Sequence, residues 1–309
     1  MDPLDLMLRQ LRAHGTVAGL SALSAPWTLR VAGEAAITLI APAHEQIWIQ
    51  HSDSAGPVPV EPRQVALVRG PEPFFCTDQP RPDGHDGRTG RVTPVHEIGP
   101  GQGQPWPLPE LSESTPSALL GVGFYRPSGA PSTRLLAALP PVAVVTESPH
   151  LPPMRSYLET EFAKGMARPG IQTELDRLLD WLLVRLLRDW FDQPGTQPPG
   201  WYLALSDGIA GAALRFIHTQ PDRSWTLASL AAAANTSRTT LVTRLRDLLG
   251  ESPLAYLTQW RMELAADLLS DPGSTVAAVA RQVGYADEFS FSTAFKRVRG
   301  VSPSALRTG

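Results

Sequence analysis

Two stretches near the end of the chain follow one pattern. TLASLAAAANTSRTTLVTRLRDLLGESP starts at Thr226, and TVAAVARQVGYADEFSFSTAFKRVRGVSP starts at Thr275. Leu227 and Leu230 match Val276 and Val279 at an offset of 49. Leu241, Leu245 and Leu248 match Phe291, Phe295 and Val298 at an offset of 50, so the second copy has one extra residue in its turn. One supersecondary unit is used twice, and this constrains the fold more than any compositional figure.

Each copy predicts a short first helix (227–234 and 276–282), a tight turn (235–237 and 284–287) and a second helix. Ser237 and Asp287 are good N-caps for the second helices. The first helices are alanine-rich, which lets another helix cross closely at a steep angle, and the unit reads as a helix-turn-helix. Between the copies, Ser252 and Pro253 suit an N-cap and a first helical position, and the helix they open ends near Ser270. At 1.5 Å per residue such a strut is roughly 25 Å long, enough to set two helices about one DNA turn (~34 Å) apart.

The second helix of the first copy turns Leu241, Leu245 and Leu248 inward. Its outer face holds Thr239, Val242, Thr243 and Arg246, flanked by Arg238 and Arg244. In the second copy Phe291, Phe295 and Val298 face inward, and Glu288, Phe289, Ser292, Thr293 and Lys296 face out, with Arg297 and Arg299 beyond. Arginine can hold guanine bidentately or clamp phosphate, and threonine or valine methyls can touch the thymine methyl. Double-stranded DNA is therefore the expected partner. The charge distribution agrees in sign. Residues 201–309 hold 11 Lys and Arg against 9 Asp and Glu, a balance of +2; the first 200, with 16 against 21, hold −5, for −3 in all.

The earlier part has another character. Many of the 31 prolines fall between Pro42 and Pro153. Among them lie short β-like runs at 27–33, 35–41, 45–51, 63–70 and 118–126, which suggest a small antiparallel barrel or sandwich. Residues 99–116 read as a loop. From 173 to 191 an amphipathic helix is predicted. Leu175, Leu178, Leu179, Leu182, Leu183, Leu186 and Trp190 form its buried stripe, and Trp181 and Val184 add apolar surface on a second face. Such a helix can cover the barrel, meet a second copy of itself, or both. Residues 192–200, with two adjacent prolines and two glycines, read as a linker.

On the phrases SLAAAANTSRTTLVTRLRDLLGESPLAYLTQWRMELAADLL and VAAVARQVGYADEFSFSTAFKRVRGVSPSALR, residues 205–309 resemble the AraC/XylS family of bacterial transcription regulators. The resemblance implies two helix-turn-helix units on a shared helix, binding adjacent major-groove segments. Three departures stand out. Phe289 replaces a small polar residue, Thr293 a common arginine or lysine, and Leu306 a common aromatic. The first two leave open whether the second unit reads bases or grips only backbone. MDPLDLMLRQLRAHG, RQVALVRGPEPF and RLLAALPPVAVV resemble the cupin-like sensor domain of one branch of that family, which implies effector sensing and dimerisation. The fold class expected is α+β: a cupin-like effector-sensing β-barrel over 1–150, a helical connector with linker over 151–200, and an all-α DNA-binding domain over 205–309 with two helix-turn-helix units.

Other chemistry is weakly supported. A metal cupin needs a His-x-His pair with a further Glu and His. The seven histidines form no such pair, and Phe74 and Phe75 follow GPEP where a histidine would be expected. His96 and Glu97 alternate to opposite faces of any strand. No metal, cofactor or catalytic residue is expected, and a cupin-type metal-dependent enzyme with an attached helical domain is the alternative. The single Cys76 excludes an intrachain disulfide and reads as a half-buried strand residue, with redox sensing the sharper option. Trp48, Phe74 and His96 are candidates to line a ligand pocket in the barrel mouth. The opening residues suggest no signal peptide, and no run suits a membrane span. A cytoplasmic homodimeric regulator, an activator type with RNA polymerase as a candidate partner and an unidentified small-molecule effector, is the function expected.

Overall fold

The computed structural model describes residues 11–13, 19–23, 25–33, 35–42, 44–80, 95–98, 118–127, 135–146, 152–153, 156–157, 160, 169–271 and 273–307. The chain divides into two compact units, one of Leu11–Pro127 with Leu136–Thr196, the other centred on Gln197–Gly309.

The first unit is built on β-strands: Leu11–Ala13 (β1), Gly19–Leu23 (β2), Thr28–Val31 (β3), Ile37–Pro42 (β4), Ile47–His51 (β5), Val58–Val60 (β6), Gln64–Arg69 (β7), Phe74–Thr77 (β8), Val95–Ile98 (β9), Ala118–Pro127 (β10) and Val142–Thr146 (β11). One sheet runs β1-β10-β4-β7-β11, with β2 also on β10; the other runs β6-β5-β8-β3-β9. The described pairings are antiparallel except β3 with β9.

Alternation within the strands puts the core between the sheets. Ile47, Ile49 and His51 of β5 are buried while Trp48 and Gln50 are half-buried, the pattern of a strand covered on one face. Leu29, Val31, Ile49, Phe74 and Cys76 of the five-stranded sheet share one apolar cluster with Ile40, Ala66, Val68, Val122 and Phe124 of the six-stranded sheet. The six-stranded sheet is buried on its other face too, so β4 and β7 show runs of four consecutive buried residues rather than alternation. In register across that face stand Gly123, Leu39, Leu67 and Ala143.

Over this second face lies helix α1, Ile171–Asp192. The Tyr125 hydroxyl donates to Leu179 O at 2.8 Å. A Cβ on Gly123 would stand 3.3 Å from a Leu179 methyl, so the missing side chain lets the helix sit close. The buried stripe is Ile171, Leu175, Leu179, Leu182, Leu183, Leu186, Leu187 and Phe191. Leu178 and Trp190, expected within it, are half-buried, and Trp181 is 47% exposed. Leucines crowd this helix on more than one side, so periodicity alone could not choose the covered arc.

Cys76 is fully buried rather than half-buried. Burial pushes its thiol pKa well up, which removes the accessible thiolate a redox sensor needs. The loop expected over 99–116 lies outside the described residues.

The second unit is helical: α2 Gly200–Ser206, α3 Ala210–Thr219, α4 Leu227–Ala233, α5 Arg238–Leu249, α6 Pro253–Ser270, α7 Val276–Gln282, α8 Glu288–Arg299 and α9 Pro303–Arg307. The helix α6 is the shared element. Its Tyr256, Leu257 and Trp260 are buried, as are Leu230, Leu241 and Leu245 of the first helix pair. Farther along, Met262, Ala265, Ala266 and Leu269 join Val276, Val279, Phe291, Ala294 and Phe295 in one cluster. Between these sets Arg261 reaches sideways. Its Nε donates to Pro221 O at 2.7 Å and its Nη2 to Arg223 O at 2.9 Å, and its guanidinium lies 5.6 Å from the Tyr285 ring. It joins the loop before the first pair to the turn of the second.

A second tie holds α5. Asp207 accepts from the Ile209 and Ala210 N–H groups at the start of α3, and its other oxygen is 3.0 Å from Arg244 Nε. These N–H groups, the Ala210 one foremost, hold its carboxyl below the ordinary value of 3.8, with Arg244 adding to the effect. No described helix is long and apolar enough to cross a membrane.

These contacts generate three stability predictions. Leu179→Ala is expected to cost about 2–5 kcal/mol in denaturant unfolding of the sheet unit, and Tyr125→Phe about 1 kcal/mol. Asp207→Ala is expected to cost about 1–2 kcal/mol at neutral pH. The folded carboxyl titrates below its unfolded value, so this contribution is complete above about pH 4 and disappears as pH falls through the folded value. Thermal melts of both proteins from pH 7 downward check this; a stability gap that does not close in acid contradicts it.

A candidate nucleic-acid interface

The two helix pairs are assembled by the same local devices at equivalent positions. Thr226 caps α4 by accepting from Ser229 N–H, and Thr275 caps α7 by accepting from Ala278 N–H. Both first helices end on a residue with positive φ, Asn235 at 51° and Gly284 at 82°. In both, the next N–H closes back across the last turn at 2.9 Å, Thr236 to Ala231 O and Tyr285 to Ala280 O. Asparagine tolerates this backbone in the first copy. The second requires glycine, because a Cβ would lie 2.5 Å from Asp222 O.

The second helices then start on Ser237 and Asp287, whose side chains accept from Thr240 N–H at 3.1 Å and Ser290 N–H at 2.7 Å. The Ser290 contacts hold the Asp287 carboxyl below its ordinary range. Both helices close on left-handed glycines, Gly250 and Gly300, whose N–H groups donate to Arg246 O and Lys296 O at 2.9 Å. With both ends fixed alike, residues 50 apart occupy equivalent places.

The inward faces are Leu241 and Leu245 on α5, and Phe291, Ala294 and Phe295 on α8. The third inward position fails in both. Leu248 is half-buried and Val298 is 38% exposed, because the covered stripe narrows in the last turn. On the outward faces, Arg238, Thr239, Thr243, Arg244 and Arg246 are exposed and Val242 is half-buried; Glu288, Phe289, Thr293, Lys296 and Arg297 are exposed and Ser292 is half-buried. At i, i+4 and i+7 along each helix, the exposed line is Thr239, Thr243, Arg246 on α5 and Phe289, Thr293, Lys296 on α8. Arg244 is exposed but engaged by Asp207, so it anchors the helix as well as facing solvent. Sequence patterns missed this pairing and Arg261, since both join residues distant along the chain.

Of the candidate pocket residues, the described structure places the side chains of Phe74 and Trp48 on different faces. Phe74 belongs to the core of the sheet unit, and Trp48 stands on the strand face opposite Ile47 and Ile49. His96, on β9, pairs in register with Leu29 of β3, and its side chain lies outside the described residues. A cleft of about 260 Å³ lies nearby, lined by Gln50, His51, Ser52, Ser54, Gly56, Pro73 and Phe75. His51 is locked there: Nδ1 accepts from Asp53 N–H, so Nε2 donates to Arg69 O. Among the described residues no group of three or more His, Cys, Asp and Glu side chains could hold a metal ion.

Comparison with known proteins accords with this division. A cupin family model matches residues 2–192, and a helix-turn-helix domain model matches residues 230–309. An AraC-like transcription regulator of Streptomyces lividans is 30% identical over 309 residues, covering 99% of this chain and 98% of that protein. Another, from Streptomyces antibioticus, is 37% identical over 61% of this chain and 63% of its own length. Among solved structures, the C-terminal domain of AraT, a response regulator from Geobacillus stearothermophilus, is 36% identical over 34% of this chain and 86% of that one, with a TM-score of 0.32. This chain belongs to the AraC-like transcription regulators, DNA-binding proteins that here carry a cupin part ahead of a helix-turn-helix part.

Proposed function

We propose that the chain is a cytoplasmic one-component regulator in which a small-molecule or stress signal acting on residues 1–150 governs DNA binding by residues 205–309. The signal passes through the helical segment 151–200, and it can do so only if the effector binds two states with different affinity. Arg238, Thr239, Val242, Thr243, Arg244 and Arg246 contact one major-groove segment, and Glu288, Phe289, Ser292, Thr293, Lys296 and Arg297 the next. The observation carrying this is the equivalence of the two exposed lines, each ending in a cation, on helices capped in the same way at both ends. An exposed cation in the third turn of each suits a phosphate or a guanine edge.

The protein acts as a homodimer in this proposal, with α1 supplying the contact. Trp181 supports it, being a large apolar side chain left 47% exposed on a helix whose opposite side is buried. RNA polymerase is the further partner of an activator. No catalytic step is assigned, in keeping with relatives described as transcription regulators.

Purified full-length protein is expected to bind duplex from upstream of its own or a neighbouring gene, with log affinity falling linearly in log salt concentration. Salt-insensitive or absent binding would contradict the assignment. Arg246→Ala is expected to weaken binding roughly tenfold without lowering the melting temperature, and unchanged affinity would mean that the groove-facing side is rotated. Trp181→Glu is expected to shift the protein from dimer to monomer in sedimentation; an unaltered dimer would remove α1 from the interface.

A further inference from the structure

The two exposed lines differ at one position in a way that simple phosphate gripping does not explain. Where α5 carries Thr239, α8 carries Phe289, and its ring is 84% exposed. It is the most exposed of the large apolar side chains in the described structure. Its neighbours Phe291 and Phe295 are fully buried, so the helix has no shortage of inward aromatic packing. One turn on, the Thr293 hydroxyl donates to Phe289 O at 2.9 Å. That back-bond commits the hydroxyl proton, so toward a base the side chain offers its acceptor oxygen and its methyl group but no donor. At the third position of the line Lys296 is exposed, followed by exposed Arg297 and Arg299. The line thus begins with the Phe289 ring and Thr293, beside exposed Glu288, and turns cationic in the last turn.

We propose that α8 recognises thymine through its 5-methyl group, with Phe289 as the specificity-determining contact and the Thr293 methyl beside it. The inference rests on the DNA-binding assignment of this helix and names the base chemistry it reads. The cationic last turn favours a polyanion as the occupant of this face, and the equivalence with α5 puts Phe289 and Thr293 at the places of exposed Thr239 and Thr243. In the major groove the only apolar mark on a base edge is the thymine methyl. A phenyl ring lacks a hydrogen-bonding group, so it discriminates by covering that methyl and removing both surfaces from water. Neither lysine nor arginine at Phe289 or Thr293 would do this; they favour guanine or phosphate.

The test uses full-length protein and the tightest duplex it enriches from a randomised library. Each thymine in turn is replaced by deoxyuridine, which removes only the methyl group. One or two replacements are expected to weaken wild-type binding about 4- to 10-fold. Phe289→Ala, harmless to folding because the ring is exposed, is expected to bind more weakly and to respond to those same replacements by less than about twofold. Thr293→Ser, which keeps the hydroxyl tie and loses the methyl, is expected to show a partial loss of sensitivity. The proposal is overturned if every replacement is neutral, or if Phe289→Ala keeps the wild-type response. It is equally overturned if Phe289→Ala alters only the oligomeric state, which would assign the ring to a protein partner. Enrichment of no duplex, or salt-insensitive binding, overturns the DNA-binding assignment itself. Salt-sensitive binding that is indifferent to thymine methyls overturns only the methyl reading.

Discussion

The helical unit depends on one helix being buried along two successive lengths. Trp260 and Tyr256 of α6 are fully enclosed, and so are Met262 and Ala265 a turn later. A helix apolar on a single stripe could serve one helix pair; α6 serves both and thereby fixes the angle between them. Arg261 sits where the two environments meet. Its two hydrogen bonds to Pro221 O and Arg223 O and its approach to Tyr285 are possible only when both pairs are seated. Gly284 completes the arrangement, since a side chain there would collide with Asp222 O and the Arg261 guanidinium. Eighteen helical residues make a strut of about 27 Å, commensurate with one turn of duplex.

In the sheet unit the corresponding constraint is a sheet covered on both faces. One face packs on the second sheet and the other under α1, and the Tyr125 hydroxyl joins the sheet to a carbonyl within that helix. A disturbance of the packing between the sheets has a direct route to α1 through Tyr125 and Gly123. Both ties depend on small spaces, and close-packed interiors shift between discrete arrangements rather than deforming smoothly.

Much of the helical unit was legible because its determinants are local. Ser237, Asp287 and Ser252 cap helices through atoms three residues away, and Gly250 and Gly300 end them on backbone conformation alone, so sequence spacing carries the information. The ion pair of Asp207 with Arg244 and the reach of Arg261 span about 40 residues, and nothing in the local pattern announces them. The sheet unit was less legible for a related reason. Val58–Val60 contains a proline, Phe74–Thr77 follows two more, and Val142–Thr146 follows a further pair, so short strands hide in what reads as loop. Cys76 looked half-buried because a single strand cannot reveal that a second sheet covers it. On α1, leucines stand at seven of the residues between 175 and 187, and the sheet, not the sequence, decides which of them are covered.

The most direct test of the duplicated-unit arrangement is a high-resolution footprint of the full-length protein on its enriched duplex, probing guanine N7 and phosphate contacts together. Two patches of major-groove protection are expected on one side of the helix, about 10 base pairs apart from centre to centre. A single patch, or two patches on opposite sides, would contradict the claim that α6 presents α5 and α8 to successive grooves.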